Sequence, residues 1–470
     1  MTSPRMTPEH SSIDERAARG KAERVKVPRQ AHGDWAPAPD RRDPVDLLEE
    51  QAATRVPELV PIRYGRMLDS PLAFYRGGAV LMAADLAGCA RTGLHAQLCG
   101  DAHLANFGIY AAPDRRLVFS VNDFDETLPG PFEWDVKRLA ASFAIAGRDS
   151  GFDHKVRAGI TTEVGLAYRT AMRQFAGMRN MDLWYARLDV EDAAREFRAQ
   201  TTAAEQKGVA KNVAHARSKD SLRALDKLTH TVDGEPRIIS DPPLIVPIDE
   251  LMKAEPGEPA RDPFPGLVRA YRASLPGDRR RLLERFRFAD AARKVVGVGS
   301  VGTRAWIILL LGRDDQDPLF LQAKEAQPSV LEPYLGRSRL ASHGHRVVQG
   351  QQLMQSASDI MLGWISTDDI DGIRRDYYIR QLWDEKSSAP IESMDARGLK
   401  DYARICASML AEAHARSGDA VAIAAYLGTN DSFEQAIASF AESYADQNER
   451  DLAALKAAVE SGRVAAQPGV

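Results

Sequence analysis

The sequence is short of the features that mark secreted, membrane-bound or nucleic-acid-binding proteins. Its three cysteines, Cys89, Cys99 and Cys406, are too few for a disulfide framework and lack zinc-site spacing. No apolar run approaches the roughly 20 residues that span a bilayer, and the charged N-terminus is not typical of a secretory signal. A formal net charge of −4 gives no basic field for nucleic acid or an anionic membrane. We therefore expect a cytoplasmic protein that binds neither nucleic acid nor membranes.

The first 42 residues are polar and charged, contain proline and show no apolar periodicity. Such a composition predicts disorder to at least about residue 30. Asp43 and Pro44 then supply the cap and the first-turn proline of a helix expected to reach about Ala53. The chain has no internal repeat or low-complexity segment, and its 470 residues are enough for two or three domains.

Three arginines, Arg63, Arg66 and Arg76, lie just before or inside an apolar helix predicted over about residues 73–87. In one interpretation they are solvated or tie carboxylates together. In the other, one of them faces a phosphate or an acidic substrate, because a planar guanidinium suits such groups. The sequence leaves both open.

Residues 98–139 hold the densest group of candidate functional side chains. Asp101 is followed five residues later by Asn106. The apolar, β-branched run LVFSV at 117–121 predicts a buried strand, and it ends in Asn-Asp-Phe-Asp, which contains Asp123. A Pro-Gly-Pro turn and an apolar helix are predicted next.

This arrangement indicates phosphoryl transfer. In that reaction one carboxylate accepts the proton of the attacking hydroxyl, while an Asn and an Asp hold Mg²⁺ on the nucleotide phosphates. Hard Mg²⁺ prefers oxygen ligands of this kind. Asp101, Asn106 and Asp123 fit these three roles in that order, and Asp125 is a candidate for a second ion.

The same residues carry a resemblance to known enzymes. GDAHLAN at 100–106 resembles the catalytic loop of the aminoglycoside and choline phosphotransferases, which run His-Gly-Asp, then His two residues and Asn five residues after the Asp. VNDFDE at 121–126 resembles their metal-binding Asp, and GPFEWDVKRLA at 130–140 resembles the turn and helix that follow. Cys99 departs from the pattern, since those enzymes carry His there, and this puts the support of the loop in question. Through SPLAFYRGGA, LCGDAHLANFG and AHARSGD the whole chain resembles the bacterial domain of unknown function 2252 family, which implies no activity.

A second informative region covers residues 293–326. It predicts a strand, then Gly297-x-Gly299-x-x-Gly302, then two further strands, the last of which ends near Lys324. Glycines between two strands argue against a dinucleotide-binding βαβ unit. The layout resembles the protein-kinase glycine-rich loop over the ATP phosphates, with Lys324 where kinases place the lysine that pairs with those phosphates. Alternatively, the glycines make a tight hairpin and Lys324 is a surface residue of an edge strand.

A lysine of that kind usually needs a carboxylate from a nearby helix. Glu325 and Glu332 are candidates, and a later predicted helix offers Gln349 and Gln352 instead. The aromatic strand at 376–383 would lead toward adenine in the kinase comparison, or it belongs to the core.

Kinases place the glycine loop before the catalytic loop, whereas this chain has the reverse order. The resemblance therefore implies an α+β, protein-kinase-like two-lobed fold that is circularly permuted, which surface termini make tolerable. A Pro/Gly-rich stretch at 253–266 predicts a loop between units. The predicted organisation is a disordered tail (1–42), a helical lobe with the catalytic and metal-binding loops (43–285), a β-rich nucleotide-binding lobe (286–385) and helices that complete the helical lobe (386–470).

The leading functional hypothesis is an ATP- and Mg²⁺-dependent phosphotransferase acting on a small hydroxyl-bearing molecule. Nucleotidyl transfer on the same fold is a related alternative. A non-catalytic nucleotide-binding regulator is another, because of Cys99 and the undecided partner of Lys324. A metal-dependent phosphoesterase is disfavoured, since the sequence has no Asn-His pair. The acceptor and the oligomeric state stay open.

Overall fold

The computed structural model describes residues 11–196, 203–252, 264–295, 297–369, 371–382 and 385–469. Within these ranges helices predominate, and every strand pairing is antiparallel. The α+β class predicted from the sequence is therefore confirmed. None of the described helices is both long enough and apolar enough to cross a membrane.

The chain begins with five helices: α1 (Ile13–Lys26), α2 (Pro44–Ala52), α3 (Val60–Met67), α4 (Pro71–Gly77) and α5 (Ala79–Ala87). Asp43 caps α2 through the amides of Val45 and Asp46, as predicted. The single helix predicted over 73–87 is instead two helices that meet at Gly78. Gly78 is the C-cap of the first and the N-cap of the second.

The disorder predicted for the N-terminus is wrong for residues 13–26, which form α1. A capping box between Ser12 and Glu15 starts this helix. Its Gly20 is buried, and a Cβ there would overlap the carbonyl oxygen of Ala422 near the other end of the chain. Because the helix packs through a glycine and through arginines rather than an apolar stripe, its sequence shows no apolar periodicity.

The segment with the candidate catalytic residues alternates short strands and loops and ends in a long helix. Its elements are β1 (His95–Leu98), β2 (Phe107–Ala111), β3 (Leu117–Val121), β4 (Leu128–Pro131) and α6 (Glu133–Asp149). β3 coincides with the predicted strand, which is confirmed. β1 pairs with β4, and β2 pairs with β3.

The middle of the chain is mainly helical. Its elements are α7 (His154–Ala176), α8 (Asn180–Tyr185), β5 (Leu188–Asp189), α9 (Val190–Glu196), α10 (Ala203–Arg217), α11 (Ser221–Leu228), β6 (Thr229–Val232), β7 (Glu235–Ile238), β8 (Ile245–Pro247), α12 (Ile248–Leu251), α13 (Phe264–Ser274) and α14 (Gly277–Leu283). Asp233 and Gly234 form the β6–β7 turn with φ of 52° and 82°, which confirms the predicted hairpin. Most of the predicted 253–266 loop lies outside the described residues.

A six-stranded antiparallel sheet follows. Its remaining elements and neighbours are β9 (Arg287–Lys294), β10 (Ala305–Leu311), β11 (Pro318–Ala326), α15 (Glu332–Leu335), α16 (His343–Met354), β12 (Gly363–Asp368) and β13 (Arg374–Gln381). The strand order is β12-β13-β11-β10-β9-β8. The predicted strands on both sides of the glycines are confirmed, whereas Trp383 lies outside the described residues.

The predicted start of the β-rich lobe at residue 286 is too late. β8 pairs with β9, so Ile245 and Val246 already belong to the sheet. A strand of three residues carries too little periodicity to be assigned to a sheet from sequence. The sheet is apolar on both faces, because Leu310 and Leu321 belong to one cluster while Leu309 and Phe320 belong to another.

The chain ends in β14 (Ser387–Ser388), α17 (Ala396–Ser417), α18 (Ala420–Leu427) and α19 (Ser432–Glu460). β14 completes a four-stranded sheet of order β14-β2-β3-β5. α17 and α19 pack on α6 and α7, and the largest hydrophobic core contains residues from both ends, such as Leu139 and Phe440. The late helices thus share a core with the early ones.

Candidate active site

A cleft of about 1530 Å³ separates the segment that holds Asp101 from the six-stranded sheet. Its walls combine early residues with residues of the loop between β9 and β10. The predicted site residues that line it are Asp101, Asn106, Asp123, Gly297 and Gly299. Gly302 and Lys324 are buried and are not among the lining residues.

Lys324 of β11 connects the sheet to the early carboxylates. Its side chain is 3% exposed, its Nζ bonds to Oδ2 of Asp125, and Oδ2 of Asp123 is 3.9 Å away. The hydroxyl of Tyr378 on β13 donates to the other oxygen of Asp125 at 2.8 Å. Ser300 of the glycine loop lies 3.4 Å from Asp125. Two segments far apart in sequence therefore meet at one carboxylate.

The charges of this group depend on one another. Burial on its own would lower the pKa of Lys324, but Asp123 and Asp125 raise it above its ordinary value. Burial and the neighbouring Asp125 raise the pKa of Asp123. Burial also acts to raise the pKa of Asp125, but Lys324 and Tyr378 have the larger effect and hold this pKa below its ordinary value. Lys324 and Asp125 thus form an ionised pair.

None of the predicted partners of Lys324 is its partner in the structure. Glu325 faces Arg304 and Arg375, and Glu332 lies near His343. Gln349 and Gln352 are exposed on α16. The partner is Asp125, which the sequence had suggested only for a second ion. Its position four residues after the end of β3 gave no signal of the contact.

Asp101 lies at the bottom of the cleft, after β1. Its Oδ1 accepts from the guanidinium of Arg138 on α6 at 2.8 Å, and Nε2 of His103 lies 3.8 Å from Oδ2. Burial raises the pKa of Asp101 although Arg138 acts in the opposite direction. The Asn106 amide donates to the carbonyl of Asp101 at 2.8 Å, so its own oxygen is the group available to a cation.

Asp135 of α6 supports the loop before Asp101. Its carboxylate accepts from the amide of Cys99 at 2.7 Å and from the amide of Gly100 at 3.0 Å. Nε2 of His414 donates to the same carboxylate at 3.2 Å, and the Tyr168 hydroxyl donates to Nδ1 of that ring at 2.8 Å. Although Cys99 replaces the histidine of the resembled enzymes, its backbone is held by a buried carboxylate.

The glycine loop rests on α3 and on the segment between α2 and α3. Arg66 donates to the carbonyl of Gly297 at 2.5 Å, and the amide of Val56 donates to the carbonyl of Gly302 at 2.8 Å. Arg55 bonds to the carbonyl of Val301. Gly297 and Gly302 have φ of 65° and 88°, which glycine adopts without strain. The carbonyls of the loop are thus held by the N-terminal part of the chain, of which Arg55 also lines the cleft.

The three arginines singled out in the sequence have different environments. Arg63 is fully buried and bonds to Gln51 and to the carbonyl of Gly77. Arg66 holds the glycine loop, as described above. Arg76 lines the cleft, and its Nε is buried with no hydrogen-bond partner among the described residues. Of the three, Arg76 is the one that faces the cleft.

Several cleft residues were not found from the sequence. Arg346 of α16 donates to the carbonyls of Asp125, Thr127 and Gln327 and so joins the two sides of the cleft. Glu126 lines the cleft, and burial raises its pKa to about 7. Arg346 lies within a helix whose pattern gave no reason to single it out, whereas Glu126 stands directly beside the predicted Asp-Phe-Asp motif.

No group of three or more His, Cys, Asp or Glu side chains within the described ranges has the arrangement of a metal site. The chain matches no curated protein and no solved structure. Residues 55–458 match the model of a family described as uncharacterized protein conserved in bacteria, domain of unknown function 2252. Since this match covers most of the sequence, the chain belongs to that family.

Proposed function

We propose that the protein is an ATP- and Mg²⁺-dependent phosphotransferase that acts on a small hydroxyl-bearing molecule. The observation that carries the proposal is the meeting of Lys324 with Asp123 and Asp125 beside the glycine loop. Phosphoryl transfer needs an ammonium, oxygen ligands for a metal and backbone amides around one nucleotide. Asp123, Asn106 and the glycine loop line the cleft, and Lys324 reaches it through its contact with Asp125.

A circularly permuted, kinase-like arrangement is part of the proposal. The antiparallel hairpin of β9 and β10 carries the glycines, and β11 beside it carries Lys324. The opposite wall has Asp101 and Asn106, and the helices around that wall come from both ends of the chain. This is the expected distribution if the order of the lobes is reversed in the sequence.

The donor atoms suit Mg²⁺. Asn106 and Asp123 offer oxygen ligands, and Mg²⁺ is ordinarily bound by one or two carboxylates together with waters and substrate phosphates. A site of that kind needs no cluster of three protein carboxylates. When bound, the ion would neutralise charge on the phosphates.

The residues of the chain can be assigned to one balanced reaction. Oδ2 of Asp101 accepts the hydroxyl proton while the acceptor oxygen forms a bond to the terminal phosphorus. The bond from that phosphorus to the bridging oxygen breaks, and ADP leaves with the electron pair. A raised pKa makes Asp101 a better proton acceptor. Arg138 fixes the orientation of the carboxylate through Oδ1.

The test separates nucleotide binding from turnover. ATP binding is measured by titration calorimetry with and without Mg²⁺, and turnover is followed against a panel of small alcohols and sugars. Asp123→Ala should abolish the Mg²⁺-dependent part of binding. Asp101→Asn should keep binding and lower turnover by about 10²–10⁴-fold. Turnover that survives Asp123→Ala would overturn the metal assignment.

The products distinguish the related chemistry. ADP together with a phosphorylated acceptor indicates phosphoryl transfer, whereas pyrophosphate together with an adenylylated acceptor indicates nucleotidyl transfer. The exposed residue Asp114 on the β2–β3 turn provides a control, since Asp114→Ala removes a carboxylate that does not line the cleft.

The second candidate is a non-catalytic nucleotide-binding regulator. The ion pairs Asp101–Arg138 and Asp125–Lys324 favour it, because both candidate catalytic groups already have partners. Binding of ATP without turnover against any acceptor, unchanged by Asp101→Asn, would support this alternative.

A further inference from the structure

Arg76 lies in the wall of the cleft and has no partner in the part of the chain that the structure describes. Within the described residues its guanidinium makes no hydrogen bond or ion pair, and its Nε is buried without an acceptor. Nε of Arg346 and Nε of Arg55 also lack an acceptor within the described ranges. Their guanidinium groups nevertheless have partners, because Arg346 bonds to three carbonyls and Arg55 to the carbonyl of Val301, and Arg138 likewise bonds to Asp101. A partly buried, unpaired charge lowers the stability of a fold. Such a group therefore calls for an anion that the protein alone does not supply.

The position of Arg76 indicates which anion. It lies in the last turn of α4. Burial lowers the pKa of Arg76, and the nearby carboxylate of Asp101 acts in the opposite direction. The backbone carbonyl oxygen of Arg76 lies against the glycine loop. If Gly299 carried a Cβ, that atom would be 3.0 Å from this oxygen. Arg76 thus stands between the loop of the proposed base and the loop proposed to hold phosphates.

We propose that Arg76 binds the terminal phosphate of the nucleotide, the group that is transferred, next to Asp101. This inference rests on the proposed function and deepens it. The planar guanidinium matches two phosphate oxygens at once. Charge on the transferred group is spread over its three equatorial oxygens in the transition state, and a cation placed there stabilises it. Arg76 neither gains nor loses a proton, because the hydroxyl proton passes to Asp101.

The test compares a nucleotide that has the terminal phosphate with one that lacks it. Titration calorimetry measures Mg²⁺ complexes of the non-hydrolysable β,γ-imido analogue of ATP and of ADP with the full chain. Arg76→Ala should weaken binding of the analogue by about 10–100-fold, the usual effect of losing hydrogen bonds to a charged group. Binding of ADP should change by less than about twofold. Arg76→Lys keeps the positive charge but loses the two-pronged guanidinium, so its affinity for the analogue should lie between those of the wild type and Arg76→Ala.

Arg374→Ala is the matched control, because Arg374 also lines the cleft but is 70% exposed and lies 4.0 Å from Asp368. It should leave the ratio of the two affinities unchanged. Equal weakening of both nucleotides by Arg76→Ala, or no weakening of either, would overturn the assignment. The second of these results is also the one expected if Arg76 binds an acidic acceptor.

A stability measurement separates this role from a structural one. Removal of an unpaired cation should leave the thermal midpoint of Arg76→Ala equal to or above that of the wild type, whereas a structural arginine would lower it. A clear fall of the midpoint in both Arg76→Ala and Arg76→Lys would overturn the assignment. If the wild type binds neither nucleotide, the proposed function itself fails. If it binds both and only the selective loss is missing, the assignment of Arg76 alone is wrong.

Discussion

Lys324 and Asp125 are 199 positions apart in the sequence, and their side chains form an ion pair where the six-stranded sheet meets the early loop. Asp123 lies close enough to share the same ammonium. The pair therefore joins the two walls of the cleft, and it holds the carboxylates proposed to bind metal at a defined distance from the glycine loop.

Loss of this ion pair should destabilise the protein. Lys324→Met leaves the carboxylates without their cation, and we expect the free energy of unfolding to fall by about 3–5 kcal/mol. The double change Lys324→Met with Asp125→Asn should recover part of the loss, because one uncompensated charge is removed. Urea unfolding measures both. Lys155→Met, at an exposed position of α7, should stay within about 0.5 kcal/mol. Additive effects of the two changes would contradict the pairing.

Glu126 should make stability depend on pH. Burial raises its pKa to about 7, so the folded protein keeps a proton that the unfolded chain loses above its ordinary value of 4.5. Its contribution is complete below that value, and it is lost as the pH rises through about 7. Glu126→Gln should therefore gain stability relative to the wild type between pH 5 and pH 8. Urea midpoints of both proteins at these two pH values give the comparison. An equal change of midpoint with pH in the wild type and in Glu126→Gln would contradict the prediction.

Asp135 should be required to order the loop before Asp101. Asp135→Asn replaces one carboxylate oxygen with an NH2 group, so that the backbone amide of either Cys99 or Gly100 loses its acceptor, and we expect a loss of about 2–3 kcal/mol. Hydrogen exchange of residues 98–106 should become faster in the same variant. Asp153→Asn changes an N-cap carboxylate of α7 in the same way and should cost only a few tenths of a kcal/mol, since Asn caps equally well. Unchanged exchange would show that other contacts order the loop.

The packing of α1 should reverse the usual effect of replacing a helical glycine. Gly20→Ala would bring a Cβ into the carbonyl of Ala422, so we expect a loss of about 1–3 kcal/mol. Gly159→Ala in α7, where no atom lies within 4 Å of the added Cβ, should instead gain up to about 1 kcal/mol. Thermal and urea unfolding measure the loss of stability in Gly20→Ala and the gain in Gly159→Ala. A gain at both positions would show that α1 does not pack on α18.

The sequence alone determined what depends on neighbouring residues. The buried strand at 117–121, the cap at Asp43, the Asp233-Gly234 turn and the strands around the glycines were all predicted, because local periodicity and turn chemistry specify them. Asp101, Asn106 and Asp123 were singled out together because one short segment carries all three, and all three line the cleft.

Only the tertiary structure decided which distant groups meet. The partner of Lys324, the support of Asp101 by Arg138, and the packing of α1 through a glycine have no periodic signal in the sequence. Each depends on segments that are separated along the chain and brought together when apolar surface is buried. Local patterns cannot encode such contacts, because the choice among several nearby carboxylates and arginines is made by geometry that exists only in the folded chain.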